Sequence, residues 1–192
     1  MNNALRAALA SYRDELRSQH ATGHAKEHAY RPALKTLMEA FDNIIAINDP
    51  KKSDHGNPDF VFLQKDNSAI VRGYAEAKDI DVNLDSVEGS EQMERYRGYA
   101  NLYLTSYLDF RFFKNGEKYK TIVIGTRTPD GLSFDDEASE ALLREMAQFV
   151  ALPPEKITSG KRLATLMGAK ARRLRDDVTD FVKNGDVELT KI

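Results

Sequence analysis

Apolar positions along the chain change their spacing twice. From Ala4 to about Gln19, Leu5, Leu9, Tyr12 and Leu16 recur three or four residues apart, which is one face of an amphipathic helix, and Thr22-Gly23 interrupts it. A second helix is expected from near His24, with Tyr30, Leu34, Leu37, Met38 and Phe41 on one side and Pro32 introducing a bend or a restart. The middle of the chain then breaks into short runs rich in β-branched and aromatic residues, at 44–47, 59–63, 70–78, 102–105, 110–113 and 121–125, which predict strands. Lys114-Asn115-Gly116-Glu117 joins two of these runs with an Asn-Gly hairpin signal. The polar stretch 91–100 has helical spacing and is expected to cross one face of the sheet. After Thr128-Pro129-Asp130-Gly131 the helical spacing returns through Phe134, Ala138, Leu142, Leu143, Met146 and Val150, and stops at Pro153-Pro154, beyond which the last segment is again helical. No internal repeat is present. The expected architecture is an α/β three-layer sandwich with a mixed central β-sheet flanked by helices and a C-terminal helical extension. Residues 1–150 would form the core domain, and 151–192 a basic helical extension suited to linking further domains.

Composition narrows the class without naming a partner. With 192 residues, 41% apolar and 30% charged, the chain suits one folded domain and not a disordered tail. A formal charge of -2 gives no overall bias toward nucleic acid, so local charge has to decide that. Absence of cysteine excludes disulfides and thiolate metal sites and suits a reducing cytoplasm, the expected location. No signal peptide or membrane span is expected, because no apolar stretch is long enough.

The candidate chemistry sits on two neighbouring strand runs. Asn57-Pro58-Asp59 opens one, and Glu76-Ala77-Lys78 closes the next, with the turn Asp66-Asn67-Ser68 nearly midway between Asp59 and Glu76. If the runs pair antiparallel, the two acids come together, while side-chain alternation puts Glu76 and Lys78 on one face and Ala77 on the packed one. Two carboxylates on adjacent strands suit a hard divalent ion, the kind that neutralises phosphate oxygens and acidifies a water for phosphodiester hydrolysis. Lys78 would then stand where it can stabilise hydroxide or orient the nucleophile. A Glu-x-Lys triplet is weak alone, and an ordinary solvated pair on a sheet face is the alternative. Asp49-Pro50-Lys51 shows how easily the pattern arises, since its proline argues against an inner strand. Gln92 and Tyr96, four apart on the predicted helix, would present an amide and a phenol to the same side.

Pro58-Asp59, Glu76-Ala77-Lys78 and Gln92-x-x-x-Tyr96 together resemble the PD-(D/E)XK nuclease superfamily, and the last element resembles its RecB-like branch. The wording of EHAYRPALKTLMEAF, GNPDFVFL, GYAEAKDI and SEQMERYRGYANLYLTSYLDFRFF, roughly residues 24–126, is similar to the N-terminal nuclease domain of single-polypeptide restriction-modification enzymes of the type ISP group and their type II relatives. That resemblance implies Mg²⁺-dependent cleavage of double-stranded DNA, with Mn²⁺ able to substitute. It assigns Asp59 and Glu76 as metal ligands, Lys78 to assist the water, Gln92 to help orient the site, Glu27 to match the acid on the preceding helix, and Tyr96 to packing and positioning. It also implies downstream helicase and methyltransferase domains, a transient dimer on DNA and a role in phage defence. The chain carries no Walker-type loop and has no room for those domains, so they would lie in a longer protein or in separate partners. A non-catalytic DNA-binding or docking domain of the same shape, and a stand-alone repair-type nuclease, are the competing readings.

Other candidates are weaker. His20, His24 and His28 repeat at four-residue spacing, which would suit zinc only on one continuous helix, and Gly23 interrupts it. His55 is read as a loop residue, and Asp79 and Asp81 as solvated acids, with Asp79 also open to contact with a metal shell. Seven basic residues between Lys156 and Arg175, with no acid among them, suit either phosphate contact or a solvated helix face. Tyr103, Tyr107, Phe110, Phe112 and Phe113 are expected in the core and not in a base-stacking platform.

Overall fold

The structure, a computed structural model, describes residues 3–52 and 55–151 together with positions 167, 175, 178, 179 and 182. Element order is α1 (Asn3–Ala21), α2 (Glu27–Glu39), β1 (Ile44–Asn48), β2 (Phe60–Gln64), β3 (Val71–Ala77), α3 (Asp85–Glu88), α4 (Glu91–Tyr96), β4 (Asn101–Thr105), β5 (Asp109–Lys114), β6 (Glu117–Val123), β7 (Gly125–Thr128), β8 (Gly131–Phe134) and α5 (Asp136–Ala151). Backbone contacts divide the chain into the units Met1–Pro154 and Glu155–Ile192. Of the expected extension 151–192, Ala151 closes α5 and the second unit takes in 155–192; of its basic stripe only Arg175, which is exposed, lies among the described residues.

Six strands form one sheet in the order β1-β2-β3-β4-β5-β6. Only β3 and β4 run parallel, and every other neighbouring pair is antiparallel. A parallel pair needs a crossover, and α3 and α4 lie within it, between the two strands in sequence. One face of the sheet packs against α1, α2 and α5 through Leu16, Leu34, Phe62, Tyr103, Phe112 and Phe149; the other packs against the crossover through Leu84, Met93, Tyr96, Leu102, Leu104 and Phe113. This is the expected three-layer arrangement. Strand β4 is buried along its whole length, as a central strand covered on both faces must be, so its apolar run does not alternate. The aromatic run lies in these cores as expected.

Asn115 and Gly116 both take positive φ, 51° and 86°, between the paired Lys114 and Glu117. That is the two-residue hairpin the Asn-Gly pair predicts. The edge strand β6 carries the exposed Lys118 and Lys120, with Tyr119 hydrogen-bonded to Glu145 of α5. Helix α2 runs through Pro32 without the restart that was one expectation, and it begins at Glu27 and not at His24. Its N-cap Lys26 makes no side-chain cap; the Glu27 N–H is met instead by the Asp79 carboxylate at 3.1 Å, a partner 52 residues away that local sequence cannot reveal. The crossover helix α4 ends at Tyr96, short of the expected residue 100. Thr128-Pro129-Asp130-Gly131 forms the turn of a small β7–β8 hairpin and not the entry to a helix, and Phe134 belongs to β8, where Arg13 and Arg17 lie over its ring.

Gly73 of β3 shows how closely α5 is seated on the sheet. A Cβ there would stand 2.4 Å from Phe149 Cζ and 2.9 Å from Asn101 Nδ2. Asn101 Nδ2 in turn donates to the carbonyls of Arg72 at 2.6 Å and Phe149 at 2.9 Å, so neither neighbour can move aside freely. Gly73→Ala is therefore expected to lower the melting temperature by roughly 3–10 °C through overpacking, and an unchanged thermal melt would contradict this seating.

Candidate active site

Strand pairing places the two acids. Phe60 pairs with Ala75 and Val61 with Tyr74, so one step further along the same register sets Asp59 across from Glu76. The turn between the strands contains Asp66 and Asn67, with Asn67 N donating to Gln64 O at 3.2 Å and Ile70 N to Asn67 O at 2.9 Å. Alternation then puts Ala75 and Ala77 into the core beneath α1, α2 and α5, while Glu76 faces the crossover side.

Asp59 is held by donors on both oxygens. Its Oδ2 accepts from the Ala77 N–H at 2.8 Å, and its Oδ1 accepts from Arg31 Nη2. Its carbonyl accepts from Asp49 N at 2.8 Å, fixing the head of β2 to the end of β1. The Glu76 side chain is only 3% exposed, and its Oε1 accepts from Lys78 Nζ at 2.5 Å. The other oxygen, Oε2, is buried with no hydrogen-bond partner. Lys78 Nζ also donates to Gln92 Oε1 at 3.2 Å, Gln92 Nε2 donates to Tyr96 OH at 3.2 Å, and Tyr96 OH donates to the Asn57 carbonyl at 2.6 Å. The Gln-x-x-x-Tyr element thus forms a chain of contacts from the Glu76–Lys78 pair back to the loop that delivers Asp59.

Burial and like charge raise the pKa of both acids. Glu76 is pushed up to about 7, first by burial and then by the charge of Asp59, against the opposing pull of Lys78. Asp59 is raised by burial, with the Ala77 N–H and Arg31 working in the opposite direction. Burial disfavours the Lys78 ammonium, but its contact with Glu76 outweighs this and raises its pKa. The pair is therefore short of positive charge despite its two resident cations.

Asp59, Glu76, Lys78 and Gln92 are all brought together, and Tyr96 is buried beside them with its hydroxyl on Gln92 and the Asn57 carbonyl. Glu27 lies near but is engaged elsewhere: its Oε1 accepts from Arg31 Nη2 at 2.6 Å. Among the described residues no three His, Asp or Glu side chains are grouped so that they could hold a metal ion, so the structure supplies a carboxylate pair. Arg31 is the site residue that the sequence reading missed, although Glu27 and Arg31 stand at ion-pair spacing on one helix. The three histidines do not line up: His20 is on α1, His24 between helices and His28 on α2. His55 sits edge-on to Tyr99, with ring centroids 5.1 Å apart. Asp79 caps α2, which corrects its simple solvated reading, while Asp81 is exposed as expected and pairs with Arg127 at 2.7 Å on the surface.

Tyr96→Phe removes the hydroxyl that joins Gln92 to the Asn57 carbonyl. It is expected to destabilise the protein by ~1–2 kcal/mol in denaturant melts, since a part-buried carbonyl loses its donor. An unchanged midpoint would show that the loop is held by other contacts.

A six-stranded mixed sheet with helices on both faces is the restriction-endonuclease-like α/β fold. The chain is similar to the protein in a cryo-electron microscopy structure titled as a DrdV-DNA complex, with a TM-score of 0.61 and 18% identity over 77% of this chain and 99% of that one. No family model matches the chain, and no curated protein sequence matches it. Among the described residues no helix is long and apolar enough to cross a membrane.

Proposed function

We propose that this chain is a Mg²⁺-dependent DNA endonuclease domain of the PD-(D/E)XK type, working within a restriction-modification enzyme. The observation that carries the reading is the convergence of Asp59 and Glu76 across one strand pair, with Lys78 on Glu76. Double-stranded DNA as substrate draws support from the structural likeness to a protein solved with DNA. Helicase and methyltransferase activities supplied downstream or by partners, a transient dimer on DNA and service in phage defence belong to the same proposal, and rest on the sequence resemblance alone.

The residues fit a divalent ion. Asp59 and Glu76 offer hard oxygen donors, Glu76 Oε2 is a buried acceptor with nothing to accept from, and the raised pKa values mark a place where added positive charge is favourable. Bound there, Mg²⁺ or Mn²⁺ would neutralise phosphate charge and acidify a water. The Lys78 ammonium has three N–H donors, of which Glu76 and Gln92 take two. The third is available to orient an attacking water or to steady a phosphate oxygen as negative charge builds on it. Gln92 and Tyr96 keep the ammonium aimed, and the Ala77 N–H keeps the Asp59 carboxylate in register with it.

A second reading draws on a specific observation: Arg31 and Lys78 already give Asp59 and Glu76 cationic partners. A non-catalytic DNA-binding or docking domain would need nothing more. Calorimetry and plasmid cleavage separate the two. Uptake of Mn²⁺ by the protein together with Mg²⁺-dependent nicking of supercoiled plasmid, abolished by a chelator, is the expected result. Firm DNA binding without cation uptake would replace the nuclease reading with the docking one.

A further inference from the structure

Arg31 is a charged group beside the acid pair, and the cation reading leaves it without a task. It is 8% exposed and projects from α2 one turn after Glu27. Its Nη2 donates both to Glu27 Oε1 at 2.6 Å and to Asp59 Oδ1, while Nη1 lies 3.5 Å from Asn48 Oδ1 at the end of β1. One planar guanidinium therefore ties α2, β1 and the head of β2 together.

Glu27 is itself fixed on three sides. Its N–H is met by Asp79, its carbonyl accepts from Tyr107 OH at 2.7 Å, and its carboxylate is on Arg31. Tyr107 is buried with φ at +68°, its N–H donates to Thr105 Oγ1 at 2.8 Å, and its carbonyl accepts from Tyr12 OH at 2.7 Å. A bulky residue keeps such a backbone only when its surroundings hold it there. The start of α2 is thus anchored, and what it presents toward Asp59 is Arg31.

With the Ala77 N–H on Oδ2 and Arg31 on Oδ1, the Asp59 carboxylate is fixed by two donors and each oxygen retains an acceptor direction. We propose that Arg31 is the positioning residue of the acid pair, aiming Asp59 across β2–β3 at Glu76, and that Glu27 acts through Arg31 and not as a direct ligand of a divalent ion. This inference rests on the reading of Asp59 and Glu76 as a cation site. Arginine suits the task because it keeps its charge and its planar fork fixes direction. It also leaves room for a cation: with Glu76 ionised, as a bound cation would require, Glu27, Asp59 and Glu76 outnumber Arg31 and Lys78 by one charge.

The test titrates Mn²⁺ alone into the 192-residue chain by calorimetry, using wild type, Arg31→Gln, Arg31→Lys, Glu27→Gln, the Glu27→Gln/Arg31→Gln double variant and Asp59→Asn, with a metal-free thermal melt of each. Arg31→Gln is expected to melt on the order of 10 °C lower, as when one partner of a buried ion pair is removed. It is also expected to bind Mn²⁺ about tenfold more weakly, the usual scale for an outer-shell residue. Arg31→Lys should recover part of the melting temperature but not the affinity, because it restores the charge without the fork; if Arg31→Gln does not fold, this variant carries the comparison. Glu27→Gln should weaken binding alone and add nothing in the Arg31→Gln background. Mn²⁺ bound as tightly or more tightly by Arg31→Gln would make Arg31 a competitor of the cation and overturn the proposal. So would a Glu27→Gln loss as deep as that of Asp59→Asn and additive with Arg31→Gln. Wild type that takes up no Mn²⁺ would remove the cation reading and this assignment with it, an outcome distinct from either of the others.

Discussion

Asp59→Ala protein is expected to leave supercoiled plasmid intact in Mg²⁺ where the wild type nicks it, with the rate lowered at least about a thousandfold. The size follows from what the substitution removes. Asp59 supplies one of the two carboxylates of the pair, and its oxygens also hold the Ala77 N–H and Arg31 in place. Lys78→Ala is expected to slow cleavage by about 10²–10³, because a positioned donor is lost while both acids remain. The two variants should differ in what they bind: Mn²⁺ uptake disappears in Asp59→Ala and persists in Lys78→Ala. Full nicking by either would remove the site from consideration, and equal loss of Mn²⁺ uptake in both would make Lys78 part of the cradle and not of the chemistry.

The second large effect is on stability in the absence of metal, and its sign is the reverse of the usual one for removing a charge from a salt bridge. Glu76 is shifted upward, from an ordinary 4.5 to about 7, by burial and by Asp59. The folded protein therefore prefers this side chain protonated. Its favourable contribution is complete below about pH 4.5, where both folded and unfolded chains carry the proton, and is lost as pH rises through about 7. The gap corresponds to roughly 3 kcal/mol at most. Glu76→Gln is neutral at every pH, so in the metal-free state at pH 8 it should be more stable than wild type by ~1–3 kcal/mol, and its stability should no longer decline between pH 4.5 and 7 on this account. Denaturant melts across that range measure it. A variant less stable than wild type at pH 8 would mean that the ion pair with Lys78 outweighs burial, and would withdraw the claim that the site lacks positive charge. The same variant should lose cleavage, a combination of gained stability and lost activity that marks strain kept for function.

Much of this arrangement is legible in the amino-acid sequence. Alternation along 70–78, a turn near the midpoint and Pro58-Asp59 at the head of the preceding run together point to a hairpin that brings Asp59 near Glu76, while the one-residue register shift between Phe62 and Leu63 leaves no mark in the sequence. Gln92 and Tyr96 could be placed on one side of a helix by spacing alone, and the hydrogen bond between them follows from it. What escaped depends on contacts distant in sequence or on elements too short to show a period. The β7–β8 hairpin is built from four-residue strands, GTRT with no alternation and GLSF too short for its single Leu132/Phe134 alternation to establish a period. The start of α2 is set by Asp79 from beyond β3, so no local capping signal marks it. Arg31 had a visible partner in Glu27, but its decisive contact is with Asp59 on another element, and only folding supplies that.

The outermost strand β6 has a bearing on how the molecule behaves among copies of itself. An outermost strand offers unsatisfied main-chain groups to any passing polypeptide, and this one also shows Tyr119 and Val123 to water. Lys120, and Lys118 where it pairs with Glu88, set hydrated charged groups among those residues that must be stripped of water before two such borders can join, so ladder-like growth from molecule to molecule is opposed at its first step.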